Sequence, residues 1–350
     1  MKKIIAFLSL ALCLSLLAGC TGTTVVYTDC TCDGQHVTVT EDTTPVTEDT
    51  TPVTEGSVKT GLAVLASVKT TDASAEAEGK ASYDVSLVAV LVDDNGVIVD
   101  CIIDSIGADV TYDTAGAITS GISDNVLTKN ELGFDYNMEL YTNGAAVGEW
   151  FEQAAALAQF AKGKTVEEVF AAIDSETGLA SDADLATSAT IKLGGYVAAL
   201  EVAVANAKHL GAEAGDELKL ASINAVAEDG SLNCDAVALT LSGETITSCA
   251  IDSLQATVTI NADGTAAAGN TLTKNQLGFD YNMELYTNGA AVGEWFEQAA
   301  SFCAYVTGKT VAEVAGIAVN ENNAPADADL AASVTIKIGG FQALIAKAVQ

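Results

Sequence analysis

One stretch of the chain occurs twice. Residues 127–155 read LTKNELGFDYNMELYTNGAAVGEWFEQAA, and residues 272–300 repeat them with one change, from Glu131 to Gln276. The offset is 145 residues (272 − 127), and weaker similarity continues on both sides of the two copies. A duplicated unit of this size is expected to fold in the same way each time. We therefore predict two tandem repeats, residues 57–208 and residues 209–350, with any function present once in each.

The charge of the chain excludes several classes of partner. Its 47 acidic and 15 basic residues give a formal net charge of −32, and every basic residue is a lysine. Nucleic acid and anionic lipid headgroups repel such a surface. The chain also lacks the arginine fork that commonly holds free phosphates and carboxylates. We expect no nucleic-acid binding, and a hydrophobic content of 49% still indicates a folded protein.

The N-terminus is typical of an exported protein. Two lysines precede an apolar run over residues 4–17, which is shorter than a membrane-spanning helix. The ending Leu17-Ala18-Gly19-Cys20 resembles a bacterial lipobox, in which the cysteine is lipidated and becomes the mature N-terminus. The resemblance implies a lipoprotein signal peptide over residues 1–19 and a lipid anchor at Cys20, on the extracytoplasmic face of the bacterial cell membrane. An ordinary signal peptide or a membrane helix is the alternative.

Residues 20–56, from the lipidated cysteine onward, are predicted to be a tether. The run TEDTTPV occurs twice between Thr40 and Val53, in a segment rich in threonine and acid. Such a segment buries too little apolar area to fold, and its like charges keep it extended. Cys30 and Cys32 are either an ordinary part of this tether or a reactive or metal-binding pair.

Each repeat is predicted to begin with antiparallel strands. Asn95-Gly96 between two alternating apolar runs is a strong hairpin signal. The predicted strands are residues 83–92, 97–103 and 108–112 in the first repeat and residues 233–241, 244–251 and 257–260 in the second. Helices follow the strands in both repeats. This order favours an α+β fold in which helices pack on an antiparallel sheet.

The helices are predicted from apolar periodicity and capping patterns. In the first repeat the predicted helices are residues 146–161, a short helix that starts at the Thr165–Glu168 capping box, and residues 195–207. In the second repeat a short helix starts at the Thr310–Glu313 box, and the last helix is residues 340–349. Val147, Trp150 and Ala161 belong to the apolar face of the first of these helices. Trp150 and its counterpart Trp295 are interpreted as core residues, with a stacking platform for a planar ligand as the alternative.

No catalytic or metal site is predicted. Glu131 is an attractive acid–base candidate, but Gln276 at the equivalent position cannot titrate, so that position does not catalyse in both repeats. Neither His36 nor His209 is repeated, and neither has a partner at zinc-like spacing.

The cysteines outside the tether are predicted to be small buried fillers. Cys101 and Cys249 occupy equivalent positions, whereas Cys234 and Cys303 stand where the first repeat has serine and alanine. Their pairing stays open, since six cysteines allow fifteen combinations.

A threonine motif precedes the last helix of each repeat. Asp184 to Thr190 read DLATSAT and Lys192 follows, whereas Asp329 to Thr335 read DLAASVT and Lys337 follows. The first copy resembles the segment Asp-x-x-Ser/Thr-Gly-Ala-Thr of the FMN-binding domain family, which occurs in exported redox lipoproteins and in subunits of membrane redox pumps. The order of elements in each repeat is also similar to that family.

The two copies differ from the family pattern at a few positions. In the first copy only Ser188 departs, because it replaces the glycine. In the second copy Ala332, Ser333 and Val334 replace the Ser/Thr, the glycine and the alanine.

The resemblance implies a covalently bound flavin. In the family a flavin transferase attaches FMN from FAD to the last threonine of the motif through a phosphodiester, and that residue corresponds to Thr190 and Thr335. The predicted cofactor-binding residues are these threonines and their motif neighbours: Asp184, Thr187, Ser188, Ala189 and Lys192 in the first repeat, and Asp329, Ser333 and Lys337 in the second. We expect the lysines to screen the phosphate charge and the start of the following helix to bind it.

Two functions remain open. The first is an extracytoplasmic electron carrier in which the flavin supplies the redox chemistry, with a flavin transferase and redox proteins as partners and no substrate conversion of its own. The second is a cofactor-free surface lipoprotein whose duplicated domains bind a partner or ligand. The changed motif residues favour the second, and the element order and export signal favour the first.

Overall fold

The computed structural model describes residues 56–350. The predicted signal peptide, the lipid anchor at Cys20, Cys30, Cys32, His36 and nearly all of the tether lie outside the described residues. Helices and antiparallel sheets both contribute to the described region, which confirms the predicted α+β class. Within it, no helix has both the length and the apolar character needed to cross a bilayer.

The strands form three antiparallel sheets. In the described region they are β1 (Lys59–Thr71), β2 (Gly79–Val92), β3 (Ile98–Tyr112), β4 (Ile118–Ser120), β5 (Glu217–Val226), β6 (Leu232–Ser242), β7 (Thr245–Ala256), β8 (Val258–Ile260) and β9 (Ala266–Ala268). The first sheet has the order β1-β2-β3-β4, the second β5-β6-β7, and β8 pairs with β9. The predicted hairpins correspond to β2–β3 and β6–β7.

Two aspects of the strand prediction are wrong. Residues 108–112 are not a separate strand, because β3 continues through Gly107, which pairs with Asp84 of β2. Strands β1, β4, β5 and β9 were also not predicted from the sequence. In β1 a continuous buried run over residues 60–64 hides the alternation that marks a half-exposed strand.

The helices follow the strands in each half of the chain. They are α1 (Lys129–Leu132), α2 (Met138–Thr142), α3 (Trp150–Ala161), α4 (Val166–Ala171), α5 (Ala183–Ser188) and α6 (Gly194–Asn206), then α7 (Lys274–Leu277), α8 (Met283–Thr287), α9 (Trp295–Val306), α10 (Val311–Ala315), α11 (Ala328–Ala331) and α12 (Gly339–Lys347). Short 3-10 segments, Gly133–Tyr136 and Gly278–Tyr281, follow α1 and α7. Both predicted capping boxes are present at the starts of α4 and α10.

The predicted start of the helix over residues 146–161 is wrong. The helix begins at Trp150, because Glu149 is extended and its backbone N–H donates to Oε2 of Glu152 at 2.8 Å. Val147, expected on the buried face, is 51% exposed. Ala161 is the last helical residue, as predicted.

The two large sheets pack face to face, with helices on their outer faces. Side chains alternate along β2, so that Val85 and Leu87 belong to the core between the two sheets, whereas Val88 and Val90 belong to the core that includes α3 and α6. The second sheet is arranged in the same way between the first sheet and α9 and α12. The layer order is therefore helices, sheet, sheet, helices, with three apolar cores between the layers.

The predicted core residues lie within these layers. Trp150 and Trp295 are 2% and 5% exposed and belong to the two helix–sheet cores, as interpreted from the sequence. Four cysteines are buried and free, which confirms the filler prediction for them: Cys101, Cys234, Cys249 and Cys303.

Candidate functional site

Thr190 is held in place by Gln153 of α3. The Oε1 atom of Gln153 accepts from the backbone N–H of Thr190 at 2.7 Å, from its hydroxyl at 3.2 Å, and from the N–H of Ile191 at 3.1 Å. Its Nε2 atom donates to the carbonyl of Gly148 at 2.7 Å. The Gln153 side chain is fully buried, whereas Thr190 is exposed. The buried amide of Gln153 therefore fixes the position of Thr190 at the protein surface.

Thr335 is held in the same way by Gln298 of α9. Oε1 of Gln298 accepts from the N–H of Thr335 at 2.7 Å, from its hydroxyl at 3.1 Å and from the N–H of Ile336 at 3.2 Å. Nε2 donates to the carbonyl of Gly293 at 2.7 Å. Thr335 is also exposed. The same geometry thus occurs in both halves, although the motifs differ in sequence.

The residues before Thr190 form α5, a short helix that was not predicted from the sequence. Asp182 caps α5 by accepting from the N–H groups of Asp184 and Leu185. The hydroxyls of Thr187 and Ser188 donate to the carbonyl of Asp184, at 2.7 and 3.5 Å. These contacts stay within α5 and do not join Thr187 or Ser188 to Thr190. In the second half Asp327 caps α11 similarly, and Asp329 is exposed.

The departures from the family pattern cause no backbone strain. Neither Ser188 nor Ser333 has a positive φ, so neither position requires glycine for its conformation. Ser333 donates to the carbonyl of Leu330 at 3.3 Å. Ala189 and Val334 at the next position are both buried, which makes the exchange of alanine for valine a change in the core.

An uncapped helix follows each threonine. Leu193 precedes α6 and Ile338 precedes α12, and neither side chain accepts from the first turn. Free N–H groups at such a position bind phosphate well. Lys192 and Lys337 are exposed, and within residues 56–350 neither forms an ion pair. The lysines thus remain available to an anion.

The two glutamines and a buried cluster of Lys129, Trp150 and Tyr196 were not predicted from the sequence. Gln153 and Gln298 each lie three residues after a core tryptophan, so a polar residue on an apolar helical face was the available signal. Nζ of Lys129 lies 5.1 Å from the ring centre of Trp150 and 3.5 Å from the hydroxyl of Tyr196. Nε1 of Trp150 donates to the same hydroxyl at 3.1 Å.

The comparisons with known proteins give no relative. The chain matches no family model, no curated protein and no solved structure. Within the described part of the chain, no group of three or more His, Cys, Asp or Glu side chains is arranged to hold a metal ion. We therefore infer the function of the chain from the geometry around the two threonines.

Proposed function

We propose that this chain is an exported, lipid-anchored electron carrier with FMN esterified to Thr190 and Thr335. The observation that carries the proposal is the repeated arrangement at the two threonines. Each has an exposed hydroxyl, each is held by a buried glutamine, and each is followed by an uncapped helix. The two-repeat organisation and the tether are part of the same proposal. The repeats provide one flavin site in each half, and the tether holds both sites away from the membrane.

The residues around Thr190 fit a phosphodiester. Attachment transfers the FMN phosphoryl group of FAD to the threonine Oγ, breaks the pyrophosphate bond and releases AMP, while the hydroxyl proton is lost. The ester oxygen no longer donates to Gln153, but the N–H groups of Thr190 and Ile191 still do. The loop therefore keeps its position after modification. When attached, the flavin would supply the electron transfer, and the protein would supply its placement.

The test is production of the mature chain together with a flavin transferase and FAD. The measurement is flavin fluorescence on a denaturing gel, with mass spectrometry of the threonine peptides. The variants are Thr190→Ala, Thr335→Ala and both together. Thr114→Ala is the matched control, because Thr114 is an exposed threonine that lies outside both motifs.

The expected result is fluorescence that survives denaturation, falls by about half in each single variant and disappears in the double variant. Thr114→Ala should leave it unchanged. Fluorescence that persists in the double variant would exclude these threonines as the attachment sites. A protein that acquires no flavin under these conditions would overturn the proposal and favour the cofactor-free binding protein.

A further inference from the structure

Each half of the chain exposes a cluster of large apolar side chains. Phe134, Leu140 and Tyr141, which we call the first apolar patch, are each 73% exposed. Their counterparts Phe279, Leu285 and Tyr286, the second apolar patch, are 72%, 73% and 72% exposed. Soluble surfaces rarely leave several large apolar side chains of one short segment in water without a binding role.

The backbone around each patch is firmly held. Met138 is buried, and its N–H donates to Oε2 of Glu149 at 2.9 Å. The ring of Phe134 packs edge-on against Phe151 at 5.3 Å, and Tyr141 stacks on Tyr136 at 5.5 Å. In the second half the corresponding ring pairs have separations of 5.3 and 5.4 Å. Side chains fixed in this way lose little conformational entropy when a partner covers them.

The patches carry unbalanced negative charge. Asp135 and Glu139 are exposed on the first patch segment, and Asp280 and Glu284 on the second. Lys129 is the only lysine in residues 127–155, and it is 9% exposed, buried against Trp150. No exposed lysine of residues 127–155 therefore offsets the acidic side chains at the surface. In the second stretch the equivalent Lys274 is half-buried over the ring of Trp295.

This charge decides what can cover the patches. A second copy of the chain would bring two acidic patches together, and each copy has a net charge of −32. The segment before Gly56 is an equally poor occupant, since residues 21–55 contain acids and no lysine. Anionic lipid and nucleic acid are repelled for the same reason. The complementary partner has apolar side chains and positive charge.

We propose that the two apolar patches are docking sites for a partner protein segment that presents aromatic or aliphatic side chains flanked by lysine or arginine. The apolar side chains supply most of the affinity. The exposed acidic residues of each patch segment, which we call the acidic rim, raise the association rate and select a basic partner. Because the chain carries two nearly identical patches, a partner with two such segments gains from avidity. The proposal does not depend on the flavin. In the first half Phe151, which contacts the patch, and Gln153, which holds Thr190, both lie near the start of α3. Phe296 and Gln298 have the same positions in α9.

The test uses the full mature protein and three synthetic helical peptides. The first has leucine and phenylalanine on one face and lysine on the other. The second replaces its lysines with glutamate, and the third replaces its apolar residues with serine while keeping the lysines. Isothermal calorimetry should show two sites per chain for the first peptide and at least about tenfold weaker binding of the other two.

The variants connect binding to the patches. Leu140→Gln with Tyr141→Gln should remove one of the two sites, and adding Leu285→Gln with Tyr286→Gln should remove the other. Ile122→Gln is the control, since Ile122 is 51% exposed but lies outside both patches. All of these side chains are exposed, so circular dichroism should show an unchanged fold, and the unfolding curves should shift only slightly through loss of the stacking on Tyr136 and Tyr281.

Several outcomes would overturn the proposal. Equal binding of the serine peptide would show that only the net charge of the chain attracts lysine, and equal binding of the glutamate peptide would show that the acidic rim has no effect. Unchanged stoichiometry in the patch variants would place the sites elsewhere. Self-association that the patch variants abolish would identify a second copy as the occupant.

Discussion

Glu131 at the start of the first duplicated stretch forms an ion pair with Lys347 in the last turn of α12. Nζ of Lys347 also donates to the carbonyl of Ser222 at 2.7 Å. At the equivalent position Gln276 keeps only the capping role, because its Oε1 accepts from the N–H of Thr273 at 2.9 Å. The residue that corresponds to Lys347 is Val202, which lies 145 residues earlier (347 − 145). Glutamate thus occurs in the stretch whose partner helix carries Lys347, and glutamine occurs where the equivalent helix residue is Val202.

Replacing Glu131 with glutamine should weaken the contact between the halves. Glutamine preserves the capping bond to Thr128 but leaves the Lys347 ammonium without its carboxylate. We expect a loss of about 1 kcal/mol in the free energy of unfolding, because the pair is partly exposed. Urea unfolding should show this loss at low salt and a smaller one in concentrated salt. Gln276→Glu is the control, because the equivalent of Lys347 is Val202 in that half, and it should not stabilise the protein.

Removing the Gln153 side chain should release the threonine loop of the first half. Gln153→Ala leaves two N–H groups and the Gly148 carbonyl without their partner, which costs about 1–3 kcal/mol. Hydrogen exchange should become faster at Thr190 and Ile191. The amides held by Gln298 are the internal control and should keep their protection. Equal protection before and after the change would contradict the role assigned to Gln153.

Two buried aspartates should make the protein less stable as the pH rises. Burial raises the pKa of Asp104 and of Asp252 to about 6, even though hydroxyl and N–H groups near the starts of α1 and α7 bond to them. Since these values lie above the pKa of 3.8 for an unperturbed aspartate, the folded state binds the protons more tightly. The resulting stability is complete below about pH 3.8 and is lost as the pH rises through about 6.

The corresponding variant is Asp104→Asn with Asp252→Asn. Asparagine keeps an acceptor for the N–H groups of Ser105 and Ser253 but does not ionise. Each site should contribute up to about 3 kcal/mol to the difference between pH 4 and pH 7. Urea unfolding across this range should show a shallower pH dependence in the variant. Asp135→Asn, at an exposed position, is the control, and an unchanged slope in the double variant would refute the assignment.

Tyr196 and Phe341 should set different pKa values for two equivalent lysines. Burial lowers the pKa of Lys129, but Tyr196, Tyr136 and Asp84 together raise it above its usual value. Burial lowers the pKa of Lys274, although Asp235 and Asp252 act to raise it. The ring that packs on Trp295 in this half is Phe341, which has no hydroxyl.

Tyr196→Phe should therefore lower the pKa of Lys129, and Phe341→Tyr should raise that of Lys274. Nuclear magnetic resonance of labelled lysine Nζ groups measures both values. The loss of the acceptor for Nε1 of Trp150 should also cost about 1 kcal/mol in Tyr196→Phe. Shifts in the opposite direction would show that the hydroxyl does not control these lysines.

Much of the local structure could be predicted, because it depends on neighbours in the chain. The hairpins follow from alternation and turn residues, and the starts of α4 and α10 follow from Thr165 and Thr310 with their partner glutamates. The start of α3 was misplaced, since Glu149 and Glu152 form a capping box that lacks the usual serine or threonine. The threonine motif was located from the sequence, but not its support by Gln153.

The amino-acid sequence by itself determined the duplication, the strand-then-helix order, the acidic charge and the positions of the two threonine motifs. These are properties of composition and of short-range periodicity. Only the tertiary structure decided that the two sheets pack against each other, that Gln153 and Gln298 hold the threonines, and that Glu131 meets Lys347. Each of these contacts joins residues far apart in the chain, and their distances depend on how whole sheets and helices pack. Local patterns carry no information about such distances.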